Sequence, residues 1–271
     1  MDNQYQIIFS RNIGVFTNAE QERLRKSTIA VAGMGGVGGL LTERLIRLGV
    51  GNLKITDPGT FEESNLNRQF GSSMISLGSN KAEVVYHEIR DINPQAHIYC
   101  SNTGIKTEDD AINFVNGCDV VIDEMDYGAW KESIFLQRAA RRGGIYYLFA
   151  GAIGFGALVT VFDPKGITLE EYNKLPANIE LNNVKEMAVP TERILPVVPS
   201  YAMAALSMDM IQGIIAGQRP VPTCSVGVGL TSILAAGEAI NIILKRREII
   251  KAPKYIYIDL LDQKFIIGSV A

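Results

Sequence analysis

The stretch Ser27-Thr28-Ile29-Ala30-Val31-Ala32-Gly33-Met34-Gly35-Gly36-Val37-Gly38-Gly39, followed by a helical run and then by Leu53-Lys54-Ile55-Thr56-Asp57, decides how the rest of the chain is read. An apolar, β-branched run leads into glycines, the glycines open a helix, and a second apolar run ends in a carboxylate. That order is the nucleotide-binding half of a doubly wound fold. Gly33 permits a sharp turn off the strand, Gly35 lets backbone approach a phosphate, and Gly38 lets helix pack closely on strand. Gly36 stands at the helix start, where unpaired N–H groups and the positive dipole end favour anions. Asp57, ending the second strand, is placed to accept hydrogen bonds from ribose hydroxyls.

Working outward, strand and helix patterns alternate. Thr28 to Ala32 reads as a strand, Gly36 to Leu48 as a helix ended by Gly49, and Leu53 to Thr56 as the second strand. Ahead of them, Thr17-Asn18 offers helix caps, with Gln21 as capping-box partner of Asn18. A polar loop, 58–79, carries Glu63-Ser64-Asn65-Leu66-Asn67-Arg68-Gln69-Phe70; a loop that long, rich in amides, reads as a binding loop. Asn80 caps a helix from Lys81 to Ile92. Then come a strand at His97–Ser101, a helix at Glu108–Asn116, and a buried strand Val120-Val121-Ile122-Asp123 with Glu124 and Asp126 just beyond it. Trp130 to Arg142 is a helix and Ile145 to Ala150 a strand. This alternation predicts an α/β fold, a doubly wound, mostly parallel, Rossmann-like sheet whose ligand sits at the carboxyl ends of the strands.

After Gly151 the pattern changes. Ala157 to Phe162 reads as a strand, residues 163–199 as an inserted lid or substrate segment, 200–217 and 226–246 as apolar helices, and Tyr255–Leu260 with Lys264–Ile267 as a C-terminal hairpin. One domain over 1–271 is expected. The two apolar helices are interrupted by Asp209 and Glu238, so they read as buried or subunit-facing rather than lipid-spanning. The start, Met1-Asp2-Asn3-Gln4-Tyr5-Gln6, lacks the pattern of a secretion signal, and a cytoplasmic location without a membrane partner is expected.

With 271 residues, 47% of them hydrophobic, the chain has ample material for a core, and a net charge of −3 gives no global basic field for nucleic acid. Three cysteines, Cys100, Cys118 and Cys224, form no CxxC, so neither a disulfide framework nor a cysteine zinc site is expected. Cys224 lies near a helix start, where a thiolate can be stabilised, but the smaller claim of a buried thiol is preferred.

By the loop at 63–70 the chain resembles the ThiF/HesA/MoeB superfamily, relatives of the ubiquitin-activating enzymes. The resemblance rests on Ser10-Arg11-Asn12, Gly33 to Gly38, Gly49-Val50-Gly51, Asp57, Asn65-Leu66-Asn67-Arg68-Gln69, Gly78-Ser79-Asn80-Lys81-Ala82-Glu83 and Asp123-Glu124-Met125-Asp126. It implies an adenylyltransferase that uses ATP and Mg²⁺ to adenylate a carboxylate and releases pyrophosphate. By the same resemblance Arg68 and Lys81 contact the phosphates, Asn65 and Gln69 help to order them, and Asp126 holds Mg²⁺. Arg11 resembles an arginine that reaches across a homodimer to the partner's γ-phosphate. The acceptor class stays open among a ubiquitin-like protein, a peptide and a small-molecule or tRNA carboxyl. Three departures stand out: Asp126 is followed by Tyr127 where the family has asparagine, the zinc cysteines are absent, and no cysteine occupies an obvious crossover-loop position, so adenylation without a covalent thioester relay is expected. Asp123 reads either as a strand-end residue bonded to backbone or as a ligand, and Glu124 as a solvated side chain. Competing readings are a non-catalytic nucleotide-binding dimerisation partner and an NAD-dependent oxidoreductase.

Overall fold

The five residues Thr28–Ala32 form β1, four of them fully buried, as an apolar run covered on both faces requires. Around it, a computed structural model describes residues 3–126, 128–181, 193, 195–215, 219 and 222–270. The other strands are β2 (Asn52–Thr56), β3 (His97–Ser101), β4 (Val120–Asp123), β5 (Tyr146–Ile153), β6 (Gly156–Phe162), β7 (Lys254–Asp259) and β8 (Lys264–Ser269). All lie in one sheet of order β3-β2-β1-β4-β5-β6-β7-β8. β3 through β5 run parallel and β6 to β8 continue antiparallel. Chain order reverses between β1 and β4, which places the ligand crevice of such a sheet at their carboxyl ends.

The helices are α1 (Asn3–Ile8), α2 (Asn18–Lys26), α3 (Gly36–Arg47), α4 (Lys81–Ile92), α5 (Glu108–Val115), α6 (Trp130–Arg142), α7 (Leu169–Tyr172), α8 (Ala202–Ala205), α9 (Met208–Ile215) and α10 (Ser225–Leu244). One face of the sheet packs Leu41, Leu45, Val85, Ile89, Ala235 and Ala239 from α3, α4 and α10 onto Ile29, Val31, Ile55 and Ile122. The other packs Phe114, Ile134 and Leu136 from α5 and α6 onto Ala30, Ala32 and Val121. Each fully buried leucine or isoleucine contributes about 1.5–3 kcal/mol by leaving water.

α10 is long and apolar enough to cross a membrane by composition, with mean hydropathy 1.6, yet 67% of that window is buried inside the protein. It lies on α3, β5 and β6 and serves as a core helix.

Three local readings change. The capping box of α2 is Thr17 with Glu20: Thr17 Oγ1 accepts from Glu20 N at 3.2 Å and Glu20 Oε2 from Thr17 N at 2.8 Å. β5 runs on to Ile153 because Gly151, Ala152 and Ile153 pair with Leu158, Ala157 and Gly156. The apolar stretch after 200 breaks into α8 and α9 at extended Leu206, and Ser207 Oγ accepts from Met210 N at 3.2 Å. In the expected insertion, Thr168 caps α7 with Glu171 as its box partner; residues 182–192 and 194 lie outside the described residues.

Candidate nucleotide site

The glycine turn is built by close approach. Gly33 has φ +95°, and a Cβ on it would lie 2.2 Å from the Glu124 carbonyl oxygen. A Cβ on Gly38 would lie 1.9 Å from the Gly33 carbonyl oxygen. Gly35, the N-cap of α3, is the reverse case, since a Cβ there meets nothing within 4 Å and would project into the crevice. The first-turn N–H groups of α3 have no partners within the helix and suit an anion.

Asp57 ties this turn to the next loop. Its Oδ2 accepts the Met34 N–H at 2.6 Å and its Oδ1 the Gly59 N–H at 2.7 Å. Asn80 Nδ2 donates to the Asp57 carbonyl at 2.9 Å, and Asn80 Oδ1 caps α4 through Glu83 N at 3.1 Å. A Cβ on Gly59 would stand 3.0 Å from Asp57 Oδ1 and 3.7 Å from Lys81 Nζ, so Lys81 shares the crevice with Asp57. Below these groups, on the α5 side of β2 and β3, a cavity of about 300 Å³ is lined by Lys54, Thr56, Ser101, Gly104, Ile105 and Phe114 among others. Thr56 is 2% exposed and its Oγ1 has no partner. Thr56 had no signal in the sequence, because an unpartnered hydroxyl shows only once the fold closes around it.

Arg68 reaches the turn from the other side. Its Cγ lies 3.6 Å from a Cβ on Gly36, and its Nη1 donates to Ser64 O at 2.9 Å and Asn67 Oδ1 at 2.8 Å. Asn65 is buried and faces inward, with Oδ1 accepting from Glu62 N at 3.0 Å and Nδ2 donating to Ser64 Oγ at 3.3 Å. It fixes the loop that carries Arg68. Gln69 is also buried, and its Oε1 has no partner.

At the end of β4 the acids separate. Asp123 is 1% exposed; Oδ1 accepts from Met125 N at 3.0 Å, Oδ2 accepts from the Tyr147 hydroxyl, and Ser133 adds a further bond. It is a strand-end residue bonded to its surroundings, and burial raises its pKa above the ordinary carboxylate range. Glu124 is half-buried rather than freely solvated: Oε1 is enclosed without a partner, and burial with the neighbouring Asp123 pushes its pKa well up. Glu124 follows β4 directly and packs on the glycine turn, with its Cβ 3.2 Å from a Cβ on Gly38. Asp126 is exposed, three residues beyond the end of β4. Tyr127 lies outside the described residues. Among the described residues no three His, Cys, Asp or Glu side chains cluster as a metal site. Mg²⁺ commonly takes one or two carboxylates with phosphate oxygens and water, which Asp126 fits.

Two residues stand apart. Arg11 is exposed on the turn Ser10–Asn12, and Asn12 Nδ2 donates to Gln21 Oε1 at 3.1 Å and Leu48 O at 3.4 Å, beyond the far end of α3. The length of α3 separates Arg11 from its own glycine turn, roughly 18 Å at 1.5 Å per residue. Cys224 is the N-cap of α10, with Sγ 3.3 Å from the Gly154 carbonyl oxygen, a contact suited to a neutral thiol donor. Burial pushes the thiols of Cys100 and Cys118 up to about 11, which leaves both unreactive.

The glycine turn, Asp57, Lys81 and Arg68 thus converge at the reversal of strand order. The tRNA threonylcarbamoyladenosine dehydratase of Bacillus subtilis (strain 168) is 34% identical over 123 residues, 45% of this chain and 48% of that protein. The ubiquitin-like modifier-activating enzyme 5 of Caenorhabditis elegans is 38% identical over 97 residues, 36% of this chain and 23% of that one. The chain therefore matches about half or less of these relatives' length. Among solved structures, E. coli MccB with ATP superposes with TM-score 0.71 at 20% identity, covering 100% of this chain and 72% of that one, a likeness of fold. The sequence pattern of the ThiF family matches residues 9–269, nearly the whole chain, and the protein belongs to that family.

Proposed function

We propose that the protein is an ATP- and Mg²⁺-dependent adenylyltransferase acting on a carboxylate, in a homodimer whose Arg11 completes the partner's site. The observation that carries the reading is the double use of Asp57, which holds the glycine turn with one oxygen and the Lys81 loop with the other. A triphosphate laid along α3's first turn would meet Lys81 on one side and Arg68 on the other. The cavity at Thr56 and Gly104 would take the base.

In the reaction a substrate carboxylate oxygen bonds to the α-phosphorus, the bond from that phosphorus to the bridging oxygen breaks, and pyrophosphate leaves with the electron pair. No proton need move. The protein's task is to align the two anions and offset the charge gathering on the departing phosphates. Arg68, bound by Ser64 O and Asn67 Oδ1, presents a planar fork of donors already fixed in place. Lys81, on the first turn of α4, adds a point charge. Asp126 would hold Mg²⁺, which shields phosphate oxygens when bound.

The relatives' names point to a tRNA and to ubiquitin-like modifiers, so acceptors of both kinds, and peptides, belong in the test. ATP–pyrophosphate exchange is measured with such carboxylates on the parent, Lys81→Ala and Asp126→Ala. Exchange that requires both residues is expected. Tight NADH binding without ATP binding would overturn the reading. Co-expressed Arg11→Ala and Asp126→Ala subunits should regain about a quarter of parental exchange, since half the random pairs carry one complete site.

A further inference from the structure

The N-terminal turn that bears Arg11 is held from outside its own segment. Asn12 O accepts from Val15 N at 3.1 Å and Phe16 N at 2.9 Å, closing residues 12–16 into a tight unit. That unit is gripped by Arg246, just beyond the carboxyl end of α10. Arg246 Nη2 donates to Val15 O at 2.7 Å, and Nε and Nη2 donate to Glu20 Oε1 and Oε2 at 2.7 and 2.8 Å. Its guanidinium carbon also lies 5.0 Å from the Phe16 ring centroid. One side chain therefore engages a carbonyl, a carboxylate and an aromatic face within six residues of each other. Glu20 is in turn fixed by Thr17, so the grip has little play.

The other end of α10 belongs to the crevice. Val228 packs on Gly36 of the glycine turn, with Cγ2 3.2 Å from a Cβ there, and Asn67 Nδ2, next to Arg68, donates to Thr223 O at 3.4 Å. A single helix of 20 residues thus runs from the phosphate-binding end of its own chain to the mount of the arginine offered to the other.

We propose that Arg246 is a positioning residue for the reaction: it holds the Val15–Glu20 corner so that Arg11 is presented to the γ-phosphate bound in the partner subunit. This rests on the reading of Arg11 given above. Arg246 touches no substrate; it acts through the turn. A guanidinium suits the task because it makes the bidentate bond and the stacking contact at once, which an ammonium cannot.

The test needs no acceptor. Binding of fluorescent N-methylanthraniloyl ATP and ADP is measured on the parent, Arg11→Ala, Arg246→Ala, Arg246→Lys and Glu20→Gln. A γ-phosphate held by a charge-assisted arginine contact makes the parent prefer ATP over ADP by about tenfold or more. Arg246→Ala should collapse this preference towards that of Arg11→Ala and leave ADP affinity within about twofold, because a mispositioned contact forfeits only the γ-phosphate. Arg246→Lys and Glu20→Gln should fall between, and both guard against misfolding of the alanine variant. If Arg246→Ala keeps the parental preference, or loses ATP and ADP equally, the proposal is wrong while the Arg11 reading stands. If Arg11→Ala itself keeps the preference, the Arg11 reading fails and takes this proposal with it.

Discussion

Asp57 Oδ2 accepts the main-chain N–H of Met34 at 2.6 Å, so the carboxylate at the end of β2 is a brace for the glycine turn. Each carboxylate oxygen has a second lone pair, and Asp57 can still meet a ribose while bracing. Asp57→Ala strands the N–H groups of Met34 and Gly59 and should cost about 1–3 kcal/mol. Asp57→Asn, which keeps one carbonyl acceptor, should cost less. Urea denaturation gives both values, and calorimetry should show ATP affinity falling in the same order.

The glycines of the turn separate stability from binding. Gly38→Ala drives a methyl into the Gly33 carbonyl and should cost about 3 kcal/mol or more. Gly35→Ala meets no atom within 4 Å and should melt near the parent while binding ATP more weakly. Melting curves paired with a nucleotide titration check the contrast; equal destabilisation of the two would contradict it.

Cys224 donates to Gly154 O as a thiol at the head of α10, and nothing in that arrangement calls for a covalent relay. Cys224→Ala should retain turnover, measured as AMP release with an accepted carboxylate, and lose no more than about 1 kcal/mol of stability. Loss of turnover in a well-folded variant would place the sulfur in the chemistry.

The Arg246 clamp should survive acid. Bonds from Arg246 and then Thr17 lower the Glu20 pKa from 4.5 to about 2. A carboxylate with a depressed folded-state pKa stabilises fully above its unfolded value and loses that contribution as pH falls through the folded one. The melting difference between parent and Glu20→Gln should therefore persist down to pH 4.5 and vanish on approach to pH 2. The pair is on the surface, so added salt should shrink the difference at every pH.

Much of this architecture was legible in the chain because local and global preferences agree there. Thr28–Ala32 and Val120–Asp123 are apolar runs with clear ends, and the helices at Gly36, Lys81 and Trp130 start where their sequence patterns predict. What escaped the sequence depends on contacts distant in the chain. Two overlapping registers could cap α2, and Thr17 with Glu20 takes the role because the Gln21 side chain is drawn away to Tyr5, Asn12 and the Leu48 carbonyl. The strand read as Ile145 to Ala150 runs on to Ile153 only because β6 pairs with its end. Glu124 looks solvated beside other acids, yet its Oε1 is enclosed where the chain leaves β4 against the glycine turn. Arg246 is one of three successive basic residues, 245–247, and nothing local marks it out; its grip on Val15 spans 231 positions of sequence.

The distance between Arg11 and the glycine turn of its own chain has a practical result. On the proposed reading, in which Arg11 serves the partner's γ-phosphate, an isolated protomer would hold only half of an active site. Specific activity should then fall on dilution below the concentration at which chains pair, and an excess of inactive chains that still present Arg11 should raise it again.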